Sequence, residues 1–179
     1  MLDENNAVLA VIDVQGKLAR VVSESELRIQ RVISLVKGMQ ALKVPIFLTA
    51  QAPEKIGHTI PEVAELFEAP SDIPRVSFSV MRTEQFAEAL RASGKRQVAL
   101  CGFETHICLY QSSLDLLAEG YEVYLVVDAS SSRSEENKAA ALVELRAEGA
   151  HLVTVELALF SMLKTAAHPA FKTIARLIK

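Results

Sequence analysis

Three residues in this 179-residue chain have the types that nucleophilic chemistry needs: Asp13, Arg75 and Cys108. A thiol becomes a nucleophile at neutral pH only with a base or a cation beside it. Asp13 can take the proton, and Arg75 can hold both Asp13 and a substrate. Each of the three stands at the end of a strand pattern. Ala7-Val8-Leu9-Ala10-Val11-Ile12 is a continuous apolar run that stops at Asp13, as in a strand covered on both faces. Arg75-Val76-Ser77-Phe78-Ser79 reads as a short strand. A third run, Val98-Ala99-Leu100-Cys101, breaks at Gly102, crosses Phe103, Glu104, Thr105 and His106, and reaches Cys108. Helical spacing then places Ile107, Tyr110, Leu114 and Leu117 on one face. Cys108 is therefore expected in the first turn of a helix, where N–H groups and the helix dipole favour a thiolate. Gly102 supplies the backbone freedom for the turn. The plainer alternatives are a buried hydrophobe for Cys108, a turn or cap residue for Asp13 and a surface charge for Arg75.

The elements that must position these groups alternate along the chain. Ser23-Glu24-Ser25-Glu26 resembles a capping box ahead of a helix carrying Ile29, Val32, Ile33, Val36 and Met39. Pro45 to Thr49 reads as the next strand, with the proline at its start. Residues 50–74 are the least regular and hold Pro53, Pro61, Pro70 and Pro74. A short helix is expected at about 61–67, and long connections of this kind are often functional. Thr83 is expected to cap a helix that Gly94 ends. A strand over 121–127 leads to Asp128. Ser134 caps a helix running to about 148, and a last strand over 151–155 precedes two short helices. Strands alternating with helices imply a parallel sheet with helices on both faces, in one domain spanning 1–179.

Composition narrows the function. The net charge of −3, with both signs interspersed, gives no argument for nucleic acid or an anionic membrane as partner. No apolar run approaches membrane-spanning length, and the polar start of the chain shows no secretory signal. Cys101 and Cys108 read as free thiols in a reducing cytoplasm. The four histidines lack metal-ligand spacing, so no metal or cofactor is expected, and no glycine-rich phosphate loop is present.

Several segments together resemble the isochorismatase-like cysteine hydrolase family. They are Ile12-Asp13-Val14-Gln15, Arg75-Val76-Ser77-Phe78-Ser79, Gly102-Phe103-Glu104-Thr105-His106-Ile107-Cys108 and Val127-Asp128-Ala129-Ser130-Ser131-Ser132-Arg133-Ser134. Thr49-Ala50-Gln51-Ala52-Pro53, Gly57 to Glu62 and His168 to Lys172 are similar to the isochorismatase-domain-containing branch. The resemblance implies a three-layer α/β/α, Rossmann-like domain with a six-stranded parallel sheet, usually oligomeric. It implies an aspartate–lysine–cysteine triad in which the cysteine attacks a carbonyl carbon. It also implies an oxyanion hole of backbone N–H groups, aimed by a non-proline cis peptide before the motif threonine. Asp13 and Cys108 carry over, but Arg75 stands at the lysine position and Ala50 where an acidic residue is usual. Gln15, Gln51, Phe78 and Thr105 are the expected substrate-binding residues. Gly102, Phe103, Glu104 and Arg133 are the expected supports, with Arg133 bracing Glu104.

Three readings follow. The first is a cysteine hydrolase for a small amide or related carbonyl compound, with an acyl group carried on Cys108. The second is a catalytically impaired small-molecule binder or assembly protein of the same fold. The third, a thiol switch between Cys108 and Cys101, needs two sulfurs to meet, although Cys101 is expected inside a buried strand. A small-molecule substrate and a homo-oligomer, dimer or larger, are the expected partners.

Overall fold

The structure is a computed structural model and describes residues 1–69 and 72–178. Pro70, from the irregular stretch, lies outside the described residues, as do Ser71 and Lys179. In chain order the elements are β1 (Ala7–Ile12), α1 (Leu18–Val21), α2 (Ser25–Ala41), β2 (Ile46–Gln51), α3 (Pro53–Ile56), α4 (Pro61–Ala64) and β3 (Asp72–Arg75). Then come α5 (Glu84–Ala92), β4 (Gln97–Phe103), α6 (Tyr110–Ala118), β5 (Glu122–Ser131), α7 (Glu135–Ala147), β6 (His151–Val153), α8 (Val155–Leu163) and α9 (Phe171–Leu177). The six strands form one parallel sheet in the order β3-β2-β1-β4-β5-β6.

Period-two alternation in the central strands divides the interior into two cores. Ala7, Leu9 and Val11 of β1, with Ala99, Cys101 and Phe103 of β4, pack against α2, α8 and α9. Val8, Ala10 and Ile12, with Val98 and Leu100, pack against α5, α6 and α7. Every residue of β1 is buried, which explains its unbroken apolar run. The strand order reverses between β1 and β4. Residues just past those two strand ends border the crevice where open α/β sheets take ligands.

Local details depart from the sequence expectation at several points. The strand expected over 75–79 is instead Asp72–Arg75, because its pairing ends where Gln51 ends β2. Glu24 precedes α2 in the left-handed conformation without a side-chain cap, and Ser25 Oγ donates to the Ala19 carbonyl at 2.7 Å. Thr83 does not cap α5; its hydroxyl meets Ser77 Oγ at 3.2 Å. Ser134 does cap α7, accepting from the Asn137 N–H at 3.2 Å. β5 runs past Asp128 to Ser131 because Ser130 and Ser131 pair with Gly102 and Phe103. Cys108 lies not in an α-helical turn but in a π turn, Thr105–Leu109, that leads into α6. No peptide bond among the described residues is cis, so the expected cis bond before Thr105 is absent and the turn is all-trans.

Gly102 has φ +120°, and a Cβ there would stand 1.9 Å from the Ile12 carbonyl oxygen of the neighbouring strand. That atom is backbone in the middle of the sheet and has nowhere to move. Gly102→Ala is expected to cost about 2–4 kcal/mol of stability. Urea unfolding of both proteins measures this, and an unchanged midpoint would contradict the close approach.

Candidate active site

Four strand ends meet at the crevice. Asp13 follows β1, Gln51 ends β2, Arg75 ends β3, and Cys108 follows β4 through the π turn. Asp13 adopts φ +54°, an uncommon conformation for a residue other than glycine. Non-glycine residues held in this region tend to cluster at functional sites. Arg75 Nη2 donates to Asp13 Oδ2, and the two side chains are 0% and 1% exposed. The other end of the guanidinium, Nη1, donates to the Ser77 carbonyl. Asp13 Oδ1 is already taken by the Gln51 N–H at 3.1 Å. The pair is therefore end-on rather than the two-pronged fork that arginine can form with a carboxylate.

The Cys108 thiol donates to Gln51 Oε1 at 3.5 Å and lies close enough to Asp13 for each to bear on the other's ionisation. Burial pushes the thiol up to about 12. The Asp13 charge adds to this, and Arg75 opposes it without prevailing. Burial also raises the Asp13 carboxyl, against the downward pull of Arg75, Cys108 and the Gln51 N–H. The sequence suggested that the helix start and Arg75 favour a thiolate. The structure corrects this: desolvation and a facing carboxylate outweigh one arginine. Cys108 rests as a neutral thiol.

Other expected residues fall into two groups. Gln15 is fully buried and faces protein: its Nε2 donates to the carbonyls of Gln51 at 2.9 Å and Gly57 at 2.7 Å, and its Oε1 accepts the Gln51 N–H at 2.8 Å. It ties the loop after β2 to the end of β1. Thr105 is likewise buried and donates to the Ser131 carbonyl at 3.1 Å. Both side chains are buried against protein partners rather than open to the crevice. Phe78 is 47% exposed on the loop after β3, and Gln51 Nε2 donates to Val76 in the same loop at 3.3 Å. Phe103 is part of the first core. Glu104 accepts from Arg133 Nε and, at 3.4 Å, from the Arg133 N–H, so the expected brace is present. The N–H groups of Ile107 and Cys108, expected near an oxyanion hole, both donate to the Glu104 carbonyl at 3.1 Å.

One supporting residue escaped the sequence reading. Ser112 Oγ donates to the Cys108 carbonyl at 2.6 Å and accepts the Val80 N–H at 3.1 Å, pinning the cysteine turn to the segment after Phe78. Its position four residues after Cys108 was a usable signal, since serine hydroxyls in helices bond the carbonyl one turn back.

The cysteines sit on opposite sides of the sheet, Cys101 in the first core and Cys108 in the second, and both are free. Cys101 is pushed up further than Cys108 by complete burial. Iodoacetamide should label Cys108 first. Its rate should trail a free cysteine at pH 7.5 and still be climbing at pH 9, because the thiolate fraction grows with pH below a raised pKa. Peptide mapping by mass spectrometry reads both sites, and equal labelling of Cys101 in the folded protein would contradict the burial order.

The sequence profile of the Isochorismatase domain matches residues 7–156. Isochorismatase domain-containing protein 2 of Xenopus laevis is 33% identical over 177 residues, covering 99% of this chain and 85% of that protein. Among solved structures, the MAR1 ribonuclease of Caenorhabditis elegans is similar with a TM-score of 0.92 and 31% identity, over 99% of this chain and 91% of that one. The YcaC gene product of Escherichia coli, described as an octameric hydrolase of unknown specificity, has a TM-score of 0.92 and 27% identity, over 99% and 88%. With the profile spanning most of its length, the chain belongs to the isochorismatase-like family.

Proposed function

We propose that this protein is a cysteine hydrolase acting on a small amide or related carbonyl compound through a covalent intermediate on Cys108. One observation carries the reading: a buried carboxylate, a buried guanidinium and a thiol converge from separate strand ends on the crevice at the sheet's switch point. In the proposed reaction the Cys108 sulfur attacks the carbonyl carbon as its proton passes to Asp13. The tetrahedral intermediate then expels the amine, which takes that proton, and leaves a thioester. Water attacks the thioester with Asp13 as base. The carboxylic acid leaves and the thiol is restored. Asp13 suits this exchange, because its carboxyl is raised towards the range in which it can accept and return a proton. Arg75 serves as a permanent cation that favours the ionised form of Asp13.

A second reading has an observation of its own. The thiol lies near 12, and an arginine stands at the family's lysine position. Both fit a small-molecule binder or assembly member with impaired turnover. The ribonuclease name of the nematode protein finds no support in a chain of net charge −3 with Cys108 only 4% exposed. Self-association, as in the octameric relative, is supported by exposed apolar side chains at Val21, Leu27, Leu157 and Phe160. The two free thiols fit a reducing compartment such as the cytoplasm.

Hydrolysis of one panel of small amides by four proteins separates the readings. Cys108→Ser should lose all measurable turnover. Arg75→Lys should equal or exceed the wild type. Arg75→Ala should lose about 10²-fold or more. Unchanged turnover in Arg75→Ala removes the catalytic role of Arg75. Absence of hydrolysis by both the wild type and Arg75→Lys favours the binder.

A further inference from the structure

Asp13, Arg75 and Cys108 are each less than 5% exposed, so a substrate has no open path to the thiol. The segment just after Arg75 explains the closure. Pairing of β2 with β3 ends at Gln51 and Arg75, and the Ala52 N–H closes it on the Arg75 carbonyl at 2.8 Å. Past that point the chain leaves the sheet. Val76, Ser77 and Phe78 enter no backbone-to-backbone hydrogen bond with any described residue. The side chains of Val76 and Phe78 are 84% and 47% exposed, although both are large and apolar. Segments with few backbone bonds and little buried apolar surface open at low free energy.

What holds this segment down is the catalytic cluster itself. Gln51 Nε2 donates to the Val76 carbonyl at 3.3 Å, while Oε1 of the same amide accepts from the Cys108 thiol at 3.5 Å. Arg75 Nη1 donates to the Ser77 carbonyl. Ser77 Oγ donates to the Ser79 carbonyl at 2.9 Å and meets Thr83 Oγ1 at 3.2 Å, so that the Thr83 hydroxyl is the donor there. Beyond Ser79 the chain is fixed again, with Ser79 and Val80 fully buried and the Val80 N–H on Ser112 Oγ. The segment is thus anchored at both ends and fastened between them by side chains alone. Two of those fastenings, from Gln51 and Arg75, use donors that point at peptide carbonyl oxygens beside the thiol.

We propose that Val76, Ser77 and Phe78 form a strap over Cys108, and that a substrate enters by lifting it, its carbonyl oxygen replacing the Ser77 carbonyl on Arg75 Nη1. The identity of the incoming group rests on the hydrolase reading; the closure of Cys108 does not. Lifting the strap breaks its bonds to Gln51 and Arg75 together, so opening the site and freeing the donors are one event. A peptide carbonyl already seated on the guanidinium shows that the position suits an amide oxygen. The strap then closes over the bound substrate and keeps bulk water from the thioester, as active-site lids do.

Iodoacetamide labelling of Cys108 in the full chain, at one pH, reads how often the strap opens. Cys101, on the other face of the sheet, is the internal control. Ser77→Ala and Thr83→Val each remove the hydroxyl fastening and touch no group of the cluster. Each should raise the Cys108 rate about threefold or more and leave Cys101 unchanged. Equal Cys108 rates in the wild type and both variants overturn the proposal. So does a parallel rise at Cys101, which would mean that the whole protein has loosened. Phe78→Trp covers the case in which those variants fail to fold, since the natural chain has no tryptophan. The carbamidomethyl group left on Cys108 is itself a small amide and should hold the strap lifted, shifting the tryptophan emission to longer wavelength. Unchanged emission after Cys108 is labelled also overturns the proposal. Labelling is independent of turnover, so loss of the hydrolase reading in the amide panel would leave these results standing.

Discussion

A single buried ion pair sets the terms for the crevice. Asp13 and Arg75 are both removed from water, and each alone would carry a large desolvation penalty. Together they are tolerable only because the surroundings satisfy what the pair leaves over. The Gln51 N–H takes the second carboxylate oxygen, and the Ser77 carbonyl takes the far end of the guanidinium. These bonds come from the ends of three adjacent strands. The pair therefore fixes the relative positions of β1, β2 and β3 at the end where they would otherwise splay. Gln15 adds a second tie between β1 and the loop after β2, and it is buried for that reason.

The same pair governs the thiol. Cys108 faces a carboxylate and a guanidinium held against each other, so the net field on the sulfur is small and burial dominates. A neutral resting thiol is protected from adventitious oxidation and alkylation, because the thiolate is the reactive species. In the proposed reaction, activation then comes from proton transfer as the substrate arrives. That requirement favours a base positioned within the frame over a permanently ionised nucleophile. Arginine suits a static frame better than lysine does, because it holds two acceptors at once and keeps its own proton.

The cysteine turn is held from behind as well. Ser112 anchors its carbonyl side, while Glu104 anchors its start through Arg133, with His106 at 3.2 Å from the same carboxylate. The π geometry fits this arrangement. Three successive N–H groups, of Ile107, Cys108 and Leu109, converge on the Glu104 carbonyl. π turns are often found at functional sites.

The sequence by itself determined the architecture. Apolar runs of strand length alternating with helical spacing admit little besides a parallel sheet with two covered faces, and the burial of every residue in β1 follows from that pattern. It also marked Asp13, just past the carboxyl end of an apolar run, Arg75, beside a short expected strand, and Cys108, past the Gly102 turn, while Gln51 was marked by the resemblance of its segment. What it did not determine was which polar side chain faces a ligand and which faces the protein. Gln15 and Thr105 stand in motifs as prominent as those of Gln51, yet both are consumed by backbone partners 26 to 42 residues away. Capping at Ser23 to Glu26 and at Thr83 failed for a related reason: Ser25 and Thr83 are engaged by groups six residues upstream, Ala19 and Ser77, outside the helix each was expected to cap. The state of the Cys108 thiol was likewise a tertiary matter. Helix-start effects extend over one turn of chain, but desolvation depends on everything packed around the sulfur, and that is decided only when the strand ends come together.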